Sequence, residues 1–428
     1  MKILLVNPRS GFLSLKNNKG RYSPMGIISL ISVLKKDFDV EVFDFNIEQN
    51  PCGFMEKVAE VDVVGWSCFM DTFLEVKNLS SEIKKYHPKI VQIAGGPFTT
   101  SCPELYLKKT NVDNVLAGEG EISFTEMIKD ISLGKKLSPI ILGKRVNLNY
   151  FEIDFADERI REILFCYMGE EGNSQSDLAG TTSITTTRGC PWGKCKFCNS
   201  NYLGCYREKC LQLVKKELGM ALENLPSMKG IFFWDADFCS NKKRAISIAR
   251  LVGQLKRKIK FLIMAKTENL DEEILESLSG NGCCNIAVGY ESSSDQVLKK
   301  ASKGQRTDAR SQIEKINLIK KYDIQPIVYV LIGLPGDTIQ SLEKTIIFVK
   351  EIDSPIIPNF LLPIPGTAYF DEAVRTGKIG DLYNYVSYVS QNYQQGNIKH
   401  TGVNLSSIPD EILREKIDEI WEYRKKIS

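Results

Sequence analysis

Histidine is almost missing from this sequence: the 428-residue chain has 2, His87 and His400. Two imidazoles cannot build a multi-histidine metal site. Both stand in polar surroundings, where exposed residues rarely carry catalysis, so neither is assigned a role. A charge imbalance is missing too. Lys plus Arg is 56 and Asp plus Glu is 53, a formal net charge of +3. That gives no electrostatic case for nucleic acid or an anionic membrane surface, and neither is expected as a partner. No apolar run approaches the ~18 residues of a membrane span. The N-terminal MKILLVNPRSG has an apolar run shorter than the ~7–15 residues of a secretory h-region. It reads as a buried strand, and the expected compartment is the cytoplasm.

Cysteine, in contrast, is plentiful at 12 residues. A disulfide scaffold is not expected in a long chain without a secretory signal. The thiols are then buried apolar residues or metal ligands. Apolar residues at 43% and charged residues at 25% describe an ordinary globular protein. The length suits two or three domains.

The first 140 residues alternate short apolar runs with amphipathic helices. KILLVNP, VEVFDF, VDVVGWS, IVQIAGG and VDNVLAG read as strands. GIISLISVL, FLEVKNLSSEIKKY and EISFTEMIKDI read as helices. This alternation predicts a doubly wound, Rossmann-like α/β domain that binds ligands at the carboxyl ends of its strands. Residues 141–180 are partly acidic and end in GEEGNSQSDLAG, which reads as a mobile linker. Six further strands are expected near 182–188, 230–235, 260–266, 284–291, 326–333 and 358–364, with helices between most of them. Six βα units suggest a partial (β/α)6 barrel. Residues 376–428 form a short helical C-terminal region.

The strongest chemical signal is TTTRGCPWGKCKFCNS, with Cys190, Cys195 and Cys198 spaced C-x4-C-x2-C just after a strand. Three thiolates on one loop can ligate three irons of a [4Fe–4S] cluster and leave the fourth iron open. Zinc is the alternative, with Cys205 or Cys210 as fourth ligand.

This segment resembles the cluster loop of radical S-adenosylmethionine (SAM) enzymes. There the open iron chelates SAM, and electron transfer splits SAM to a 5′-deoxyadenosyl radical. The usual spacing is C-x3-C-x2-C, so this chain has one extra residue between Cys190 and Cys195. The resemblance implies further roles. Phe197 would lie beside the SAM adenine. Asp235 and Asp237, in FFWDADF, would act at the second strand end, and Arg207 would meet a SAM or substrate carboxylate; these three are the catalytic candidates. Glu291 would contact SAM. Gly333, Pro335 and Gly336, in YVLIGLPGDT, and Pro365 and Gly366, in FLLPIPGTAYF, match the fifth and sixth strand ends of the family.

Residues 1–140 resemble the cobalamin-binding domain often fused ahead of that barrel. The matching segments are SPMGIISLISVL, VDVVGWSCF, IAGGPFTTSCPE and VDNVLAGEGEISF. They imply cobalamin contacts from Ser67, Met70, Asp71, Gly95, Gly96, Pro97, Gly118, Glu119 and Gly120. The D-x-H-x-x-G motif that places a His under cobalt is absent. Phe98 stands where many relatives have His. The loop Cys68–Asp71 is the candidate cap for the lower face.

The resemblance covers 1–140 as cobalamin-binding domain and 181–375 as radical SAM barrel. It implies three cofactors: a [4Fe–4S] cluster, SAM and cobalamin. The expected reaction is methylation of an unactivated carbon, or phosphorus, of a small metabolite or peptide through methylcobalamin. A low-potential donor such as flavodoxin or ferredoxin would supply electrons. The rivals are a rearrangement without net methyl transfer and a non-catalytic cobalamin or iron–sulfur sensor.

Overall fold

A computed structural model describes residues 1–11, 23–48, 52–168, 180–200, 202, 204–304 and 307–427. The first sheet holds β1 (Lys2–Asn7), β2 (Asp39–Asp44), β3 (Val63–Ser67), β4 (Val91–Gly95), β5 (Asn114–Ala117) and β6 (Ile140–Leu142). Its order is β2-β1-β3-β4-β5-β6, and every pairing is parallel. Helices such as Met25–Leu34, Phe73–Tyr86 and Gly120–Ser132 connect the strands. Ile3, Leu4, Leu5 and Val6 on β1 are all at most 1% exposed, because a central parallel strand is covered on both faces. The order reverses between β1 and β3, which opens a crevice at their carboxyl ends.

Next come β7 (Thr181–Ile184), β8 (Thr187–Arg188), β9 (Arg207–Glu208), β10 (Gly230–Phe233), β11 (Lys260–Ala265), β12 (Cys283–Glu291), β13 (Gln325–Ile332) and β14 (Ile356–Phe360). Six of these form a second parallel sheet, β14-β13-β12-β11-β10-β7, and β8 and β9 form a separate antiparallel ribbon. The six parallel βα units make the expected open barrel. Its outer layer is a continuous core in which Ile231, Phe233, Ile263, Val288 and Val328 pack with helix residues Val214, Leu218, Ala245 and Ile274. Side chains alternate along a strand. Phe232 and Trp234 therefore face the opposite, concave side, where Trp234 is 38% exposed.

The linker reading is corrected for residues 141–168. Phe151, Ile153 and Phe155 are buried, and Glu158–Met168 is a helix whose Ile160, Ile163, Leu164, Tyr167 and Met168 join the same core. The Tyr167 hydroxyl donates to Asp44 at 2.8 Å, at the end of β2. Ile153 N–H donates to Glu217 on the helix Leu211–Asn224 of the barrel at 2.9 Å. This segment thus joins the two sheets by packing. The rest of the expected linker, 169–179, lies outside the described residues.

The C-terminal region is also shared. The helix Leu382–Gln394 packs Tyr385, Val386 and Val389 into the core of the first domain, and Ser390 Oγ donates to Asp71 O at 2.7 Å. The helix Asp410–Ile427 packs Leu413, Ile417 and Ile420 into the barrel core. Between them a strap crosses the ends of β13 and β14, with Val403 N–H on Leu361 O at 2.7 Å and Leu405 N–H on Gly333 O at 3.0 Å.

Candidate cofactor and active site

The three clustered cysteines lie on the loop between β8 and β9. Cys198 is exposed, and Cys190 and Cys195 are partly exposed. The loop is tied down from behind. Lys196 N–H donates to Ala301 O at 3.0 Å, Trp192 Nε1 to Ser302 O at 2.8 Å, and Tyr369 N–H to Lys196 O at 3.1 Å. The chain therefore holds the loop in place while leaving its thiols accessible. That donor set fits an iron–sulfur cluster, whose ligands spread around a cube. Among the described residues no three His, Cys, Asp or Glu side chains converge on a single-ion site. Cys205 instead accepts from Arg145 Nη1 at 3.1 Å, and Cys210 is exposed at the N-terminal end of the helix Leu211–Asn224.

Lys303 stands beside this loop, a residue the sequence reading does not single out. Its ammonium lies 2.8 Å from Glu291 Oε1 and 5.9 Å from the Phe197 ring centre. Burial alone would lower its pKa, but Glu291 and the nearby Cys195 thiol hold it raised. Burial raises the Cys195 thiol, against the pull of Lys303. Glu291 ends β12 with φ 63°, in the left-handed region, at an irregularity in the β12–β13 register. That conformation turns its carboxylate toward Lys303. The pair offers an anionic and a cationic group together, as recognition of an amino-acid zwitterion requires.

Each of the three catalytic candidates has protein partners. Asp235 is fully buried. It accepts from Thr186 N–H at 2.7 Å, Thr187 N–H at 2.8 Å and the Thr186 hydroxyl. It anchors the chain between β7 and β8, the approach to the cysteine loop. Asp237 is 1% exposed and accepts from Asn269 Nδ2 at 2.7 Å and Lys266 N–H at 3.3 Å. Burial pushes its carboxyl up to about 6. Arg207 is held by Glu119 at 2.7 and 2.8 Å and by Val146 O at 2.6 Å. In this structure Asp235 and Asp237 hold backbone, and Arg207 reaches across to Glu119 of the first domain.

The glycines divide similarly. Gly333 has φ 85°, and an added Cβ would sit 2.7 Å from Phe360; Gly336 has φ 93° and would meet Lys300 at 2.8 Å. Pro335 and Gly336 are partly exposed, Pro365 is buried, and Gly366 is exposed at the edge facing Ser101. Asp337, 2% exposed, accepts from Ser341 Oγ at 3.0 Å, and burial pushes its carboxyl up to about 6.

In the first domain, Ser67 and Gly95 end neighbouring strands and are partly exposed, and a Cβ on Gly95 would meet nothing closer than 3.9 Å. That open floor fits a flat ligand. Gly96, with φ 116°, is required for another reason: a Cβ would lie 2.8 Å from Cys68 O. Pro97 starts the short helix Pro97–Ser101. Met70 and Asp71 are both buried. Met70 joins the core, and Asp71, 7% exposed, accepts from Ser10. Phe69, just before them, is 41% exposed and is the side chain that the loop presents. Phe98 is 3% exposed, its ring centre 5.9 Å from that of Tyr106, so it is a core residue. A Cβ on Gly118 would sit 3.2 Å from the Gly143 backbone, and one on Gly120 would sit 3.1 Å from Leu30. Glu119 is ion-paired with Arg188 and Arg207 and is not presented to a ligand.

The two domains meet at the cysteine loop. Asn199, next to Cys198, donates to Ser101 Oγ at 3.0 Å, at the end of the helix that follows β4. A flavodoxin-like sheet thus abuts a thiol-bearing loop at the mouth of an open parallel barrel, an arrangement for a cofactor-dependent redox enzyme. Residues 184–349 match the Radical SAM superfamily and residues 15–128 match the B12 binding domain. The chain belongs to the radical SAM superfamily, in the group with a B12-binding domain ahead of the barrel, and is an enzyme. The cofactors of this class are SAM, a [4Fe–4S] cluster and cobalamin.

An uncharacterized methyltransferase of Pyrococcus horikoshii is 26% identical over 393 residues, covering 87% of this chain and 83% of that protein. Bacteriochlorophyllide d C-12(1)-methyltransferase of Chlorobaculum tepidum is 27% identical over 396 residues, covering 90% and 81%. The radical SAM methyltransferase TsrM from Kitasatospora setae, solved with cobalamin and a [4Fe–4S] cluster, superposes with a TM-score of 0.71 at 17% identity. That match covers 99% of this chain and 90% of TsrM. Among the described residues no helix is long and apolar enough to cross a membrane.

Proposed function

We propose that this enzyme methylates a carbon, or phosphorus, of a small molecule by cobalamin-dependent radical SAM chemistry. The observation that carries this reading is the 3.0 Å contact between Asn199, beside the last cluster cysteine, and Ser101 of the B12-binding domain. It makes the two cofactor sites adjoin, as transfer between them requires. The methyltransferase relatives support the same reading.

When bound, the cluster supplies the electron that splits SAM into methionine and a 5′-deoxyadenosyl radical, and cobalamin carries the methyl group. The residues of this chain bind and orient. Cys190, Cys195 and Cys198 hold the cluster. Lys303 meets the SAM carboxylate and Glu291 its ammonium. Phe197 covers the adenine side, and Gly333, Pro335, Gly336, Pro365 and Gly366 shape the edge of the SAM site. Ser67, Gly95, Gly96 and Pro97 would form the floor of the cobalamin site, with the exposed Phe69 beside it as its cap. Residues 1–140 act as the cobalamin unit and 181–375 as the radical SAM unit. A flavodoxin or ferredoxin supplies electrons.

The test is anaerobic reconstitution with iron, sulfide and cobalamin, followed by SAM and titanium(III) citrate. S-adenosylhomocysteine should form in proportion to bound cobalamin, beside 5′-deoxyadenosine. 5′-Deoxyadenosine alone would favour a rearrangement instead.

A further inference from the structure

Arg188 and Arg207 are register partners across the β8–β9 ribbon. The ribbon carries both ends of the cysteine loop: Arg188 stands two residues before Cys190, and Arg207 nine after Cys198. Like charges directly opposite on paired strands repel. Both side chains are largely buried, with exposures of 19% and 15%. Their counter-charges come from the other domain. Glu119 Oε1 lies 2.8 Å from Arg188 Nη1 and 2.7 Å from Arg207 Nη2, and Glu119 Oε2 lies 2.8 Å from Arg207 Nη1. Glu121 pairs with Arg188 Nη2. These carboxylate side chains are 2% and 4% exposed, and Glu121 Oε2 is buried without a hydrogen bond. Burial would raise Glu119, yet Arg207, the Val146 amide and Arg188 hold it below the usual carboxylate range.

From this we infer that Glu119 and Glu121 are positioning residues that make the geometry of the cluster loop conditional on the docked cobalamin domain. Without Glu119 and Glu121 the ribbon would hold two facing guanidinium groups with no counter-charge from the first domain, and these repel. Docking neutralises both and fixes the entry and exit of the loop together. The latch therefore sets the SAM-binding loop and the cobalamin domain in one register. The inference rests on the assignment of Cys190, Cys195 and Cys198 to the cluster.

The experiment compares the full-length reconstituted protein with the Glu119→Gln/Glu121→Gln variant. Iron and cobalamin contents, the electron paramagnetic resonance spectrum of the reduced cluster with SAM, and 5′-deoxyadenosine formation with titanium(III) citrate are measured. The variant should retain both cofactors but show a mixture of cluster signals. SAM cleavage should fall about tenfold or more, the scale seen when outer-shell support of a metal site is lost. The charge-exchanged Glu119→Arg/Arg207→Glu variant should recover a single signal and most of the rate. A single wild-type spectrum and rate in the double-Gln variant would overturn the inference. So would failure of the exchanged variant to recover where the double-Gln variant cannot load its cluster. If the wild type itself binds the cluster but never cleaves SAM, the proposed function fails, while the spectra still decide the latch.

Discussion

The ammonium of Lys303 lies 2.8 Å from Glu291 Oε1, beside the thiol of Cys195. Two opposite charges stand together next to the candidate cluster loop. A charge-assisted hydrogen bond contributes about 1.5–3 kcal/mol, roughly ten- to a hundredfold in affinity. Lys303→Met and Glu291→Gln should each weaken SAM binding on that scale and leave iron content unchanged. Equilibrium dialysis with labelled SAM on the reconstituted protein reads this directly.

Asp235 collects two backbone amides and a hydroxyl ahead of the cysteine loop. Asp235→Ala leaves these donors buried and unpaired, a loss of about 1–3 kcal/mol for each unsatisfied group. Urea unfolding of the cofactor-free chain should show a lowered midpoint. Asp235→Asn, which still offers a carbonyl oxygen, should lose less.

Lys209 and Glu217 form a buried pair, with Nζ 2.7 Å from both carboxylate oxygens and exposures of 4% and 0%. Removing one partner strands a charge. Glu217→Ala should therefore lower stability by about 3–5 kcal/mol. It also removes the acceptor for Ile153 N–H, so protease nicking near residues 150–155 should rise. Lys209→Met/Glu217→Leu should recover much of the loss.

Burial pushes Asp237 and Asp337 up to about 6 each, from 3.8. The folded chain therefore binds these protons more tightly than the unfolded chain. Their stabilising contribution is fully present below about pH 4 and is lost as pH rises through about 6. A shift of this size is worth up to about 3 kcal/mol per group. Asp337→Asn should flatten the fall in melting temperature of the cofactor-free protein between pH 5 and pH 7, compared with wild type.

Much of the architecture is legible in the sequence because buried parallel strands read as short apolar runs with sharp ends. FLEVKNLSSEIKKY is a helix over the expected residues, Phe73–Tyr86. The cysteine spacing and the strand before it mark the candidate cluster loop. What is not legible depends on partners distant in sequence. Lys303 sits in KKASKG, where nothing nearby in sequence marks it out until the fold sets it against Glu291 and Cys195. Asp235 reads as an active-site group because it stands at a strand end, and Arg207 because the family resemblance implies it, but their hydrogen bonds go to Thr186, Thr187 and Glu119. Phe151, Ile153 and Phe155 alternate as a buried strand would, but the acidic residues between them mask the pattern.

The most direct test of the central claim is reductive SAM cleavage by the anaerobically reconstituted wild type and by Cys190→Ala/Cys195→Ala/Cys198→Ala. With titanium(III) citrate and SAM, the wild type should form 5′-deoxyadenosine and the triple variant, lacking the cluster, should form none. Equal cleavage by the triple variant, or none by a wild type carrying a full cluster, would contradict the account.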